Sequence, residues 1–220
     1  MAHLARASLI LALTLTLSAA AVAPAGSLLR SPATPRWVTA AIEQLARIPT
    51  KPLGPSIRNP RSQFGSGWAD LDHNCRNTRD EILRRDLTQV VYVTEKECQV
   101  ESGVLVKDPY TGETISFVRG RRNLPNIDID HIVALGNAWR TGAAGWSNSE
   151  RVALANDPAE LLAVDASANR SKKNQDASTW VPKSAYVCRY VAKQIAIKAS
   201  YGLWVTPDER RSMKSRLATC

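Results

Sequence analysis

Histidine is scarce in this chain: His3, His73 and His131 are the only three among 220 residues. Cysteine is nearly as rare, with Cys75, Cys98, Cys188 and Cys220, and no two of them fall in a CxxC spacing. That combination excludes zinc ribbons and fingers, which need several closely spaced nitrogen and sulfur ligands. No internal repeat and no long low-complexity run is present, so repeat architectures are excluded as well. Negative charge is also in short supply: 20 Asp and Glu stand against 29 Lys and Arg, for a formal net charge of +9. Such a surface suits polyanions, whether nucleic acid, an anionic wall polymer or an anionic membrane surface, and charge alone does not choose among them.

One apolar run stands out, at the start of the chain. MAHLARAS carries a positive n-region at Arg6, LILALTLTLSAAAVA forms an apolar h-region, and Ala23-Pro24-Ala25 fits a small-residue cleavage site. The run is short for a membrane span and has no basic stop-transfer flank. Residues 1–25 therefore read as a signal peptide, and the mature protein as secreted, monomeric and without stable membrane association. Export places the four cysteines in an oxidising compartment, where structural disulfides are their natural use. Residues 26–62 follow as a Pro- and Arg-rich tether with one amphipathic helix from Pro35 to Arg47, whose inward face carries Ile42, Leu45 and Ala46. From 63 to 220 the chain has the length of one ordinary domain.

Within that domain Thr78 to Leu87 reads as a helix, N-capped by Thr78, with Ile82 and Leu83 facing inward. VVYVTEKECQVESGVLVKD holds two β-rich runs, and PYTGETISFV supplies a third after a turn at Thr111-Gly112. Ile127 to Val133 is a fourth strand, and ELLAV at 160–164 a short return strand. Strands first and helices after imply an α+β fold. Ser184 to Ser200 is helical and ends at Gly202; Thr206-Pro207-Asp208-Glu209 then combines an N-cap, a first-turn proline and a capping-box glutamate. In an antiparallel helix pair turning near residue 203, Cys188 and Cys220 lie at similar distances from the turn and face each other. That leaves Cys75 to pair with Cys98.

The chemistry gathers in NIDIDHIVAL, 126–135, and ANRSKKNQ, from Ala168. A strand ending in Asp130-His131, a return strand and a helix carrying Asn169 near its start can bring Asp130 and Asn169 to one cation. Oxygen-only, low-charge ligation with vacant positions suits Mg²⁺, or Mn²⁺, rather than zinc. His131 is then left as a base with an ordinary pKa near neutrality. Arg170, Lys172 and Lys173 put positive charge where phosphate charge develops.

At these residues the sequence resembles the HNH, or ββα-metal, nuclease superfamily (the His-Me finger group), and within it the exported actinobacterial-type proteins with a DUF1524-like, GmrSD-type C-terminal domain. The HNH domain of the RNA-guided CRISPR effector nuclease has a similar pairing of an Asp-His-Ile-Val strand with an Asn-Arg-x-Lys helix start. The likeness to the exported proteins extends over FGSGWADLDHNC with TRDEILRRDL, DPYTGETI, IDHIVAL, AW, ANDPAELLAVDASANRSK and CRYVAKQIAIKASYGL. It implies a ββα-metal core with an N-terminal β-hairpin region and a C-terminal disulfide-linked helical hairpin. It also implies hydrolysis of DNA, or of RNA, to 5′-phosphate and 3′-hydroxyl ends with low sequence specificity. In that frame His131 resembles the general base, Asp130 and Asn169 the metal ligands, and Lys172 a transition-state cation, while Arg170, Lys173 and Arg79 are phosphate contacts. One position departs from the pattern. Many HNH motifs brace the histidine loop with an asparagine, where this chain has Glu160, with Asn156 close by.

Several plainer readings stand beside these. Asp128 shares the strand face of Asp130 and reads as solvated rather than as a second ligand. Trp139, Trp146 and Trp180 read as core or rim rather than base-stacking platforms. DLDHNCRNTRDE, Asp70 to Glu81, matches a calcium loop at positions one, three, five and twelve, but Cys75 stands at the sixth position, where the turn calls for glycine, and an Asx-turn competes with structural Ca²⁺ there. His73 in that loop is a surface residue. The rival function is a non-catalytic secreted binder of nucleic acid or anionic wall polymer.

Overall fold

The computed structural model describes Met1, residues 34–120 and residues 126–220. Met1 apart, the leader read at 1–25 lies outside them, as does the start of the tether. Along the described chain the elements are α1 (Arg36–Arg47), α2 (Thr78–Asp86), β1 (Thr88–Tyr92), β2 (Val100–Leu105), β3 (Ile115–Val118), β4 (Ile127–His131), α3 (Leu135–Arg140), α4 (Asn148–Ala155), β5 (Leu161–Asp165), α5 (Ala166–Lys172), α6 (Val187–Ser200) and α7 (Pro207–Leu217). Short 3-10 turns occupy Pro60–Phe64 and Ala143–Gly145. The fold is mixed α+β. No described helix is long and apolar enough to cross a membrane.

Alternation along β4 and β5 organises the centre. The two strands pair antiparallel, with Ile127, Ile129 and His131 opposite Asp165, Ala163 and Leu161, and Asp128 and Asp130 opposite Val164 and Leu162. Period-2 geometry puts these two sets on opposite faces of the ribbon. Ile127, Ile129, Leu161 and Ala163 join one apolar cluster with α2 and the three-stranded antiparallel sheet β1-β2-β3. Leu162 and Val164 join another with α1, α6 and α7. A third cluster, around Phe64, Val133, Leu135 and Leu154, lies under α3 and α4. Buried on both faces, β5 needs its outer edge satisfied as well. Asp86 accepts from Ala163 N at 2.9 Å and Arg85 donates to Leu161 O at 2.8 Å, so α2 covers that edge with side chains.

Strand β4 is shorter than the sequence pattern suggests, ending at His131 rather than Val133. The next amides are diverted: Ile132 N donates to the Glu160 carbonyl at 2.9 Å and Val133 N to its carboxylate at 3.0 Å. Helix α2 is capped by Asn77, whose side chain accepts from Asp80 N, and not by Thr78. The Thr78 hydroxyl turns to the Ala69 carbonyl instead, at 2.7 Å. Helix α1 also presents a different face. Val38, Ala41 and Leu45 are buried while Ile42 is 41 % exposed and Ala46 is exposed, because the stripe that meets α6 and α7 runs from Val38 through to Ile48. Helix α6 begins at Val187, three residues later than expected, because Ser184 is drawn aside to the Pro109 carbonyl.

The C-terminal hairpin is built locally. Thr206 and Glu209 form a full capping box with Pro207 in the first turn, an arrangement worth about 1 kcal/mol at the cap alone. Gly202 adopts φ +63, which lets Leu203 N bond back to Lys198 O at 2.9 Å and close α6. Disulfides join Cys188 to Cys220 and Cys75 to Cys98. Their loops, 32 and 23 residues apart in sequence, fall where a cross-link is worth about 3–4 kcal/mol by the chain-entropy estimate. Cys75 holds φ +74 at the sixth position of the calcium-like loop. Asp70 accepts from Asn74 N and Cys75 N, Asp72 from Asn74, and Glu81 pairs with Arg76 at 2.7 Å, which builds the Asx-turn leading into α2.

Candidate active site

Asp130 reaches the end of β4 on the face that looks toward α5. Its carboxylate takes the Lys172 ammonium on both oxygens, at 2.9 and 2.8 Å, and the Tyr110 hydroxyl on Oδ2. The same ammonium also donates to the His131 carbonyl, at 2.5 Å. Lys172 is 0 % exposed and Asp130 6 % exposed. Burial pushes the Asp130 carboxyl above the usual carboxylate range, against the pull of Lys172 and Tyr110. Tyr110 is set in place by its own turn. Asp108 accepts from Tyr110 N at 3.1 Å and Thr111 N at 2.7 Å, and its other oxygen takes Asp165 N at 2.8 Å. Asp165 in turn caps α5 through Ala168 N. One buried aspartate thus locks the Tyr110 turn to the start of the helix that carries Asn169 and Lys172. Asn169 lies within α5 and is not its cap; its Nδ2 is 3.3 Å from Asp128 Oδ2.

His131 points to the other face of β4. Its Nε2 lies 3.0 Å from the Ala155 carbonyl at the end of α4. A carbonyl only accepts, so Nε2 carries the proton in this arrangement and Nδ1 keeps a lone pair. Trp68 stacks on the ring, with centroids 5.6 Å apart and planes 8° from parallel. Burial pushes the imidazole pKa down to about 3, helped by the charges of Arg61 and Lys172 and opposed by the Ala155 bond. The ring is therefore neutral at pH 7. Unfolded, it would take up a proton near pH 6.5. Between those values the unfolded chain binds more protons, so this group's contribution to stability is complete above pH 6.5 and drains away as pH falls toward 3. Lowering pH from 7 to 4.5 is expected to remove about 2–3 kcal/mol that a His131→Asn variant does not lose. Urea titrations of both proteins at the two pH values check this; identical pH dependence would clear His131 of the effect. The Glu160 carboxyl, raised by burial, works with the opposite sign and cancels in the comparison.

The loop after His131 is held by Glu160, 0 % exposed, through Val133 N. Asn156 serves elsewhere: its Oδ1 accepts from Ala69 N at 2.9 Å and its Nδ2 donates to Val152 O at 3.0 Å. Asp130, His131, Asn169 and Lys173 line one cavity of about 340 Å³. Lys172, Arg170 and Arg79 do not line it. Lys172 lies beneath, sealed against Asp130, and has no route to a bound phosphate. Arg79 is half-buried, 3.5 Å from the Ile127 carbonyl. The cavity also takes residues absent from the sequence reading: Asn59, Pro60 and Arg61 from the segment read as tether, and Gly136. A Cβ on Gly136 would stand 2.4 Å from Asn174 Cγ, so only glycine lets the Asn174 carboxamide lie against this wall. Of the missed residues, Tyr110 had a signal, since it sits in DPYTGETI, one of the segments that carry the family resemblance. Arg61 had none. Trp139 and Trp146 pack on the third cluster and Trp180 on the first.

Residues 77–215 match the family of GmrSD restriction endonucleases, C-terminal domain. The chain belongs to that family. The match takes in every element from α2 to most of α7, and with them Asp130, His131, Asn169 and Lys172. A similar protein in Arthroderma benhamiae, described as an uncharacterized secreted protein, is 36 % identical over 179 residues, covering 80 % of this chain and 82 % of its own. No solved structure matches the chain. The family's nuclease character agrees with the basic composition and with an Asp-His strand end opening onto a cavity.

Proposed function

We propose that this GmrSD C-terminal-type protein is a secreted, metal-dependent endonuclease that hydrolyses phosphodiester bonds of DNA with little sequence preference. The observation that carries the reading is the cavity wall shared by Asp130, His131 and Asn169, with the imidazole already fixed in the tautomer that leaves Nδ1 free. In this reading β4, β5 and α5 are the ββα-metal core. His131 takes the proton from the attacking water through Nδ1; burial keeps the ring neutral at pH 7 but sets its pKa at about 3, not near neutrality as the sequence suggested, which makes it a weaker base than an ordinary imidazole. Trp68 and the Ala155 carbonyl fix the plane of the ring, and Glu160 holds the loop behind it.

The donor set fits a divalent cation of the Mg²⁺ or Mn²⁺ type. Asp130 Oδ1 accepts one hydrogen bond and retains a lone pair, and no hydrogen bond engages Asn169 Oδ1 among the described residues. No three His, Cys, Asp or Glu side chains gather into a closed cage among the described residues, which suits an ion that keeps most of its shell for water and phosphate. Held by Asp130 and Asn169, the ion would neutralise charge on the scissile phosphate and the leaving 3′ oxygen. Lys172 acts here as a positioning residue. It orients Asp130 and neutralises part of its charge from below. Lys173 is left to meet the phosphate backbone directly.

The testing experiment is plasmid nicking by the mature, oxidised protein at neutral pH. Cleavage that requires Mg²⁺ or Mn²⁺ and stops in EDTA is the expected result. Binding of plasmid without any strand breaks under all metal conditions would return the protein to the non-catalytic binder. Parallel digestion of RNA assigns the substrate.

A further inference from the structure

Arg61 comes from the 3-10 turn Pro60–Phe64, well ahead of the family's matched residues. The turn is anchored. Phe64 is buried in the third cluster, Arg151 donates to the Gln63 carbonyl at 2.8 Å, and Gly54 and Arg140 exchange hydrogen bonds at 2.8 and 2.9 Å just upstream. The guanidinium sits over the Trp68 ring at 5.4 Å, and Trp68 stacks on His131. Arg61 is exposed and lines the same cavity as Asp130, His131 and Asn169. No carboxylate lies within salt-bridge distance of it among the described residues, and the stretches outside them, 2–33 and 121–125, contain no Asp or Glu. A fork of five N–H donors therefore stands at the cavity with no carboxylate of the described residues within ion-pair distance.

We infer that Arg61 is a substrate-phosphate contact, and that with Lys173 it makes the segment at 54–64 part of the polynucleotide-binding site rather than a spacer. The inference rests on the nuclease reading for its substrate. Guanidinium is the better-matched cation for phosphate, because its planar fork bonds two oxygens at once, whereas Lys173 offers a point charge. Fixed on an anchored turn, Arg61 lowers the ordering cost that a mobile arginine would carry.

The test separates binding from chemistry. Wild type, Arg61→Gln, Arg61→Lys and Lys173→Gln are titrated with a fluorescent DNA oligonucleotide in EDTA across a salt series, then assayed for cleavage with Mg²⁺ or Mn²⁺. Arg61→Gln is expected to weaken binding about tenfold and to flatten the plot of log affinity against log salt by about 0.7–0.9, the signature of one lost phosphate contact. KM should rise more than kcat falls, with Arg61→Lys intermediate. Equal affinity and equal salt slope in Arg61→Gln and wild type would overturn the inference, as would failure of the wild type to bind the oligonucleotide. If the slope changes as expected but no protein cleaves, the phosphate contact stands and the nuclease reading fails. If the wild type cleaves while Arg61→Gln matches it in affinity, slope and KM, the reverse holds.

Discussion

Replacing His131 with alanine is expected to lower the cleavage rate by about 10²–10⁴, the usual contribution of a positioned general base, while leaving affinity for DNA in EDTA within about twofold. The imidazole has no phosphate to bind; its contacts are a carbonyl and an indole face. Loss of a nearly buried ring also leaves a void beside Trp68, so some stability goes with it. For that reason His131→Gln should accompany the alanine variant. Glutamine can donate to a carbonyl and fill much of the space, yet it cannot act as a base near neutral pH. A glutamine variant that is folded, binds DNA normally and cleaves at the wild-type rate would remove His131 from the reaction. Rates measured by single-turnover digestion of a supercoiled plasmid decide the matter.

The second large effect is on stability. Lys172→Met is expected to destabilise the fold by about 3–5 kcal/mol, because it strands the Asp130 carboxylate in a buried site with only Tyr110 left to bond it. For a unit of this size that is roughly a 10 °C fall in Tm. Adding Asp130→Asn to the Lys172→Met chain should restore a large part of the loss, since removing both charges leaves no uncompensated ion. Calorimetry on the four proteins of this cycle gives the coupling. A Lys172→Met protein as stable as wild type would mean that the ammonium is exchangeable with solvent and free to meet a phosphate, and Lys172 would return to the list of substrate contacts. The Lys172-Lys173 pair divides because α5 ends between them: Lys172, its last residue, goes into the core under Asp130, and Lys173, the C-cap with φ +52, lies out at the cavity.

Much of the frame was legible because it is local. Two-residue alternation predicts β4, a short apolar run predicts β5, and a capping box predicts the start of α7, since these signals depend only on neighbours a few positions apart. Boundaries failed where a distant side chain intervened. Glu160 ends β4 by taking Val133 N, and Ala69 occupies the Thr78 hydroxyl, leaving Asn77 to cap α2. Neither contact has any trace in a window of the sequence. The substitution of glutamate for the expected asparagine at 160 likewise reads as a departure until the fold shows its carboxylate bonded to the loop it must hold.

From the sequence alone come the element types, the α+β class and the Asp130-His131 and Asn169 motifs, because period, caps and motif spacing are written in consecutive residues. The tertiary structure decided which charges face solvent and which are sealed. It buried Lys172, kept Lys173 at the cavity and brought Arg61 and Trp68 from the N-terminal segment to the histidine. Burial depends on which surfaces meet in three dimensions, and that is a property of the packed chain rather than of any stretch within it.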